Sequence, residues 1–190
     1  MAQEPGSFDR TPGICYCISV YMFLYHGSNV TVDKPQLIGQ TRGLDFGPGF
    51  YLTTSEKQAA KFSETVFKRK KSGSAIVNVY EFDMSAAENT LAIQKFGRAD
   101  AAWLRFVAEN RLKIYQGSEY DMVIGAVAND TLMPTIQAYL SGFISEEATL
   151  VTLRVKKLVD QVCLKTGKAL FLLNFISAYD IRNKESQANE

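Results

Sequence analysis

The strand-type runs in this chain are short, and the helical runs between them keep no regular beat. Apolar residues alternate through Ser74–Asp83 (Ile76, Val77, Val79, Tyr80, Phe82). Shorter runs of the same kind lie at Val20–His26, Phe50–Thr54, Tyr120–Ala128, Val159–Leu164 and Asn174–Ile181, with a further one around Thr90–Phe96. Helical patterns are expected from Ser55 to Lys70, at Asp100–Leu112, at Pro134–Leu140 and at Ser145–Val155, with a short turn at Gly167–Leu172. Ser55 and Gln58 make a capping box, and the buried face of the helix they open is expected to be Ala59, Ala60, Phe62, Val66 and Phe67. Because strand and helix do not alternate regularly, the pattern reads as α+β and not as a doubly wound sheet. A chain of 190 residues, 46% apolar, has the size and the core of one domain.

Charge and cysteine usage narrow the setting. Lys and Arg number 21 against 20 Asp and Glu, a net charge of +1, which removes the general electrostatic case for nucleic-acid or membrane binding. The one dense basic run, Lys68–Lys71, reads as a solvated helix end that complements the helix dipole. Cys15, Cys17 and Cys163 are an odd set with no Cys-x-x-Cys pair, which argues against a disulfide framework or a zinc site and for a reducing, cytoplasmic setting. The apolar stretch Ile14–Tyr25 is too short to span a bilayer and lacks the flanks of a signal peptide, so no membrane partner is expected. Met22 can serve as an alternative start. Residues 1–21 therefore read as an extension or tag, 22–182 as the domain and 183–190 as a polar tail.

Two fragments carry chemistry. The first is Leu24-Tyr25-His26-Gly27-Ser28, which holds the sole histidine of the chain. The second, about twenty residues on, is Asp45-Phe46-Gly47-Pro48-Gly49-Phe50-Tyr51-Leu52-Thr53-Thr54-Ser55. A glycine directly after the histidine frees the backbone for close approach of a ligand. The glycine-rich segment Asn29–Gly49 is long enough to be functional or mobile. Taken singly, His26 beside a strand and Tyr51 within one would be structural. In this order and spacing they are specific.

The pair resembles the diphtheria-toxin-like branch of the ADP-ribosyltransferases, which includes the poly-ADP-ribose polymerases. Over Met22–Ile181 the chain is similar to a bacterial family of unknown function placed in that superfamily, with Asp45–Ser55, Tyr120–Thr131 and Asp160–Leu170 as recurring blocks. The resemblance implies a split β-sheet core with flanking helices, two small antiparallel sheets enclosing an NAD cleft. It implies that His26 donates to the adenosine ribose and that Gly27 clamps the nicotinamide amide through its backbone. It further implies that Tyr51 stacks on the cationic nicotinamide ring, an attraction of ~0.5–2 kcal/mol. Ser28 and Ser55 are further contacts, and Arg42 is placed to reach the pyrophosphate. The catalytic glutamate of the superfamily falls at Gln161, whose amide is expected to face the nicotinamide ribose from the side opposite Tyr51. An amide holds a hydroxyl without charge, so turnover is slowed and mono-transfer favoured. Asp121, Asp130 and Gln137 are fallback polar groups, and Cys163 reads as core.

The expected activity is transfer of ADP-ribose from NAD to an acceptor, a protein ahead of a nucleic acid, with nicotinamide released. No metal is expected, since the leaving group already carries positive charge. Two rival readings share the site: an NAD-binding interaction module without turnover, and an NAD glycohydrolase.

Overall fold

The computed structural model describes residues 20–37, 43–127, 132–154 and 159–183. In chain order these carry β1 (Tyr21–Ser28), β2 (Phe50–Leu52), α1 (Glu56–Lys70), β3 (Ile76–Asp83), α2 (Met84–Thr90), β4 (Ile93–Lys95) and α3 (Ala101–Leu112). β5 (Met122–Ala126), α4 (Met133–Leu140), α5 (Glu146–Arg154), β6 (Asp160–Leu164), α6 (Gly167–Phe171) and β7 (Leu173–Asp180) follow. The strands form two sheets, ordered β1-β3-β7 and β2-β6-β5-β4. The class is mixed α+β.

The sheets are not both antiparallel, as had been expected. β4 runs parallel to β5, while the other strand pairs are antiparallel. The cause is α3, which lies between β4 and β5 and returns the chain to the same end of the sheet, a crossover that only parallel strands need. A single such unit leaves no alternating signature in the sequence.

Strand alternation sorts the side chains into three cores. Leu24, Phe50, Leu52, Tyr80, Phe82, Met122, Val162 and Leu164 fill the space between the sheets. On the outer face of the three-stranded sheet, Ala59 of α1 meets Val77, with Tyr25, Val79 and Tyr179 packed around them. On the outer face of the four-stranded sheet, Val123 and Cys163 meet Trp103, Leu104 and Val107 of α3, Ile136 of α4 and Leu153 of α5. The order of layers is helix, sheet, sheet, helices.

Local signals explain the element starts. Ser55 caps α1 by accepting from Gln58 N–H at 3.3 Å, and Asp100 caps α3 by accepting from Trp103 N–H at 3.0 Å. Asp83 ends β3 and at once caps α2, accepting from Ala86 N–H at 2.9 Å. Its double role hides α2 from the sequence pattern, so the strand expected around Thr90–Phe96 shrinks to three residues. Two further corrections concern burial. Val20–His26 reads from the sequence as a short buried strand, yet β1 begins at Tyr21, and Tyr21 and Phe23 are more than half exposed, so its outer part is not buried. Phe62, expected on the buried face of α1, is 47% exposed; Ala59, Ser63 and Val66 form that face.

Candidate active site

The two sheets meet at one point. Tyr25 of β1 exchanges both backbone hydrogen bonds with Thr53, at 2.9 and 3.0 Å, and this is a single bridge, not a ladder. Because Tyr25 spends its N–H and C=O on Thr53, it is a non-bonded pair with Val79 on the β3 side. Alternation then turns the N–H and C=O of Gly27 to the same edge as those of Tyr25. Continuing the bridge by two residues would set Gly27 against Tyr51. The strands instead part, and the Tyr51 carbonyl is taken by His26 Nδ1 at 2.8 Å.

A carbonyl only accepts, so Nδ1 carries the proton in that bond, and the neutral ring presents Nε2 as an acceptor. Burial holds the His26 pKa below its ordinary value, against the smaller opposing pull of the Tyr51 carbonyl. The neutral form therefore dominates at neutral pH. The resemblance implies a donor here, whereas the nitrogen left over, Nε2, is an acceptor. The imidazole lies on the ring of Phe50, centroids 4.6 Å apart, in the space between the sheets.

Gly27 is buried under α1. A Cβ there would lie 2.2 Å from Ala59 O and 2.7 Å from Ser63 N. The glycine is thus required by helix packing on one side while its backbone edge stays turned to the β1–β2 opening. Phe62, exposed, belongs to the same turn of α1.

The Tyr51 ring is on the face away from His26. Tyr51 pairs with Cys163, which is buried in the α3-side core, and the ring packs there beside Phe46, centroids 6.5 Å apart. Its hydroxyl donates to Gly47 O at 2.5 Å and accepts from Phe46 N–H at 3.1 Å. His26 and Tyr51 are joined through a backbone carbonyl, not by two rings facing one ligand. Burial raises the Tyr51 pKa and pushes the Cys163 thiol up to about 12.

Gln161 lies on β6 opposite Gly125, on the same face of the sheet as Cys163 and Tyr51, and not across a cleft from Tyr51. Its Nε2 is buried and has no hydrogen-bond partner among the described residues. Such an orphan donor costs about 1–3 kcal/mol, so it calls for a ligand or another use.

The remaining candidates are structural or elsewhere. Ser28 is buried and accepts from Val30 N–H at 3.4 Å, and Ser55 is occupied as the α1 cap. Asp121 holds strand and turn together, accepting from Ala92 N–H at 3.0 Å and Thr166 Oγ1 at 2.7 Å. These bonds keep its pKa low, the Ala92 N–H first. Gln137 is exposed on α4. Arg42 and Asp130 lie outside the described residues. Among the described residues no cluster of three or more His, Cys, Asp or Glu could hold a metal ion, and no helix is long and apolar enough to cross a membrane.

Two features escaped the sequence pattern. Phe50, the neighbour of Tyr51, packs against His26 with the two rings tilted by 31°. Lys165 follows β6 and sends Nζ to Phe46 O at 2.5 Å, which no motif announces. Beside it opens a cavity of about 920 Å³ walled by Gly47, Phe106, Asn110, Tyr115, Lys165 and Thr166. His26, Gly27 and Tyr51 do not line it.

Residues 22–175 match a family described as a protein of unknown function (DUF3990). The chain belongs to that family. The match runs from the second residue of β1 into β7 and so contains the β1–β2 junction, the α1 seat of Gly27 and all of β6. Neither a curated protein nor a solved structure matches the chain.

Proposed function

We propose that this DUF3990 chain is an NAD-dependent ADP-ribosyltransferase of the split-sheet type, moving one ADP-ribose from NAD to an acceptor and releasing nicotinamide. The observation that carries the reading is the opening where β1 and β2 part after one bridge. Paired donor and acceptor groups of Gly27 face it, and His26 is fixed at its side. An amide needs one acceptor and one donor at this spacing, which a strand edge supplies without side chains. His26 Nε2 is an acceptor for a sugar hydroxyl, and the exposed ring of Phe62 offers aromatic surface to a cationic ring. The orphan Nε2 of Gln161 fits a hydroxyl or ring oxygen of a bound sugar.

Transfer breaks the bond between nicotinamide nitrogen and the ribose carbon and forms one from that carbon to the acceptor. Positive charge grows on the ribose as the bond breaks. A carboxylate would stabilise it more than the Gln161 amide does, by ~1–2 kcal/mol, or ~5–30-fold in rate. The uncharged amide also supports a second reading, an NAD-binding module without turnover. With a net charge of +1, a protein acceptor is favoured over nucleic acid. The free, buried Cys163 suits a reducing, cytoplasmic setting.

Purified protein incubated with labelled NAD tests this. Nicotinamide release with label on a macromolecule is the expected result. Free ADP-ribose alone would point to a glycohydrolase, and binding without release to the module. His26→Ala should weaken NAD binding by about 1–3 kcal/mol by calorimetry, through a lost buried hydrogen bond. Equal affinity would remove His26 from the site.

A further inference from the structure

The segment that enters β2 is tied down at three consecutive residues. Asp45, 6% exposed, accepts from Arg111 Nε at 2.6 Å. Phe46 gives its N–H to the Tyr51 hydroxyl and its carbonyl to Lys165. Gly47 takes the Tyr51 hydroxyl on its own carbonyl and sits at φ +75°, with no room for a side chain: a Cβ would lie 2.6 Å from Asn110 Oδ1 and 3.1 Å from Lys165 Nζ. Of the segment expected to be functional or mobile, Asp45 to Gly47 is clasped.

Lys165 differs from the other ties. Arg111 and Tyr51 reach the segment from α3 and from the segment's own strand. Lys165 reaches it from the end of β6, the strand that carries Gln161, and its backbone is itself pinned by donating to Asp121 O at 2.8 Å. The ammonium is half-buried, and burial lowers its pKa. Sequestering a cation for one carbonyl is a poor way to gain stability, since an apolar side chain would fill the same space without the desolvation cost. Lys165 also stands between the clasped segment and the 920 Å³ cavity, lining the latter.

We propose that Lys165 is a positioning residue of the candidate site: its ammonium clasps the Phe46 carbonyl and so holds the 43–49 segment, and with it the Tyr51 hydroxyl, in the arrangement that receives NAD. The inference rests on the NAD reading of the β1–β2 opening. Lys165 links β6 to β2 at the end of the sheet where β1 and β2 part, so that loosening Lys165 loosens the strand whose Tyr51 carbonyl holds His26 Nδ1.

Hydrogen exchange and NAD kinetics on the full chain test it, with Lys165→Met and Lys165→Arg beside the wild type. Lys165→Met should raise amide exchange in 43–49 about tenfold while exchange in α3 is unchanged. KM for NAD should rise about fivefold with kcat within about twofold, and Lys165→Arg should restore most of both effects, because a guanidinium can still donate to the carbonyl. Should Lys165→Met fail to fold, Lys165→Gln, too short to reach Phe46, is read on the same scale. Unchanged exchange in 43–49 overturns the clasp. Faster exchange with unchanged KM overturns its role at the site. A wild-type chain that binds no NAD overturns the NAD reading itself, and the site role with it.

Discussion

Burial around the His26 imidazole disfavours its protonated form, so the folded chain holds this proton less tightly than the unfolded one. Between the ordinary histidine value and the lowered folded one, the unfolded state binds more protons, and stability rises with pH across that window. As pH falls below about 6.5, the contribution of neutral His26 is lost progressively until the folded pKa is passed. Melting temperature followed from pH 7.5 downward should therefore fall more steeply for wild type than for His26→Ala; parallel curves would show that the imidazole titrates as if exposed. Gln161 gives a second residue-scale prediction. Its Nε2 has no partner among the described residues, so Gln161→Met should leave the denaturation midpoint unchanged or raise it, by up to about 1 kcal/mol, while nicotinamide release falls about tenfold. A variant that loses stability and keeps turnover would make Gln161 a structural residue. His26 and Gly27 stand out in the sequence through the order and spacing of two fragments, and Gln161 through the resemblance alone. What was not legible was the direction of the contacts. That His26 meets Tyr51 through a carbonyl, with the rings on opposite faces, depends on where β1 and β2 part, and no local pattern encodes a register between strands so far apart in the chain.

Helix α1 and strand β1 depend on each other through the missing side chain of Gly27. Adding one methyl would place a carbon 2.2 Å from Ala59 O, and both nearest atoms belong to the helix backbone, which cannot rotate away as a side chain would. Gly27→Ala should cost about 1–3 kcal/mol by overpacking, read as a lower urea midpoint with an unchanged slope. A loss below about 0.5 kcal/mol would mean that α1 rides freely on the sheet. Most element centres could be read from periodicity and caps: Ser55 and Asp100 start helices where expected, and β3 alternates as its sequence does. The misses share a cause. Asp83 serves two elements at once, Phe62 has helical spacing but faces outward, and the parallel β4–β5 pair follows from the path of α3 and not from either strand's composition. Each is decided by tertiary placement, which overrides a local pattern.

Across the whole molecule, β1 is the strand on which the layers depend: it edges one sheet, bridges to the other, carries α1 on one face and encloses the inter-sheet core with the other. Its two ends differ in kind. The C-terminal end holds His26 and Gly27, whereas the N-terminal end is fastened to α2. Val20 N–H donates to Ser85 Oγ at 2.7 Å, Met84 N–H donates to Val20 O at 3.0 Å, and Tyr21 pairs with Asp83. These contacts lie just before the residue at which the family match begins and just inside the segment read from sequence as an extension. Val20 and Tyr21 are each more than half exposed, so their apolar burial contributes little and the hydrogen bonds carry most of what they add. Two partly exposed bonds are worth about 1–2 kcal/mol together. A chain beginning at Met22 should therefore melt several degrees below one beginning at Val20, as about 1 kcal/mol shifts the midpoint of a domain this size by ~2–4 °C. NAD affinity should be the same for both, because the lost contacts sit at the end of β1 far from Gly27. Equal melting would show that β1 is held by β3 and the Thr53 bridge alone. A fall in NAD affinity with equal melting would show instead that strain introduced at Tyr21 travels along β1 to the opening.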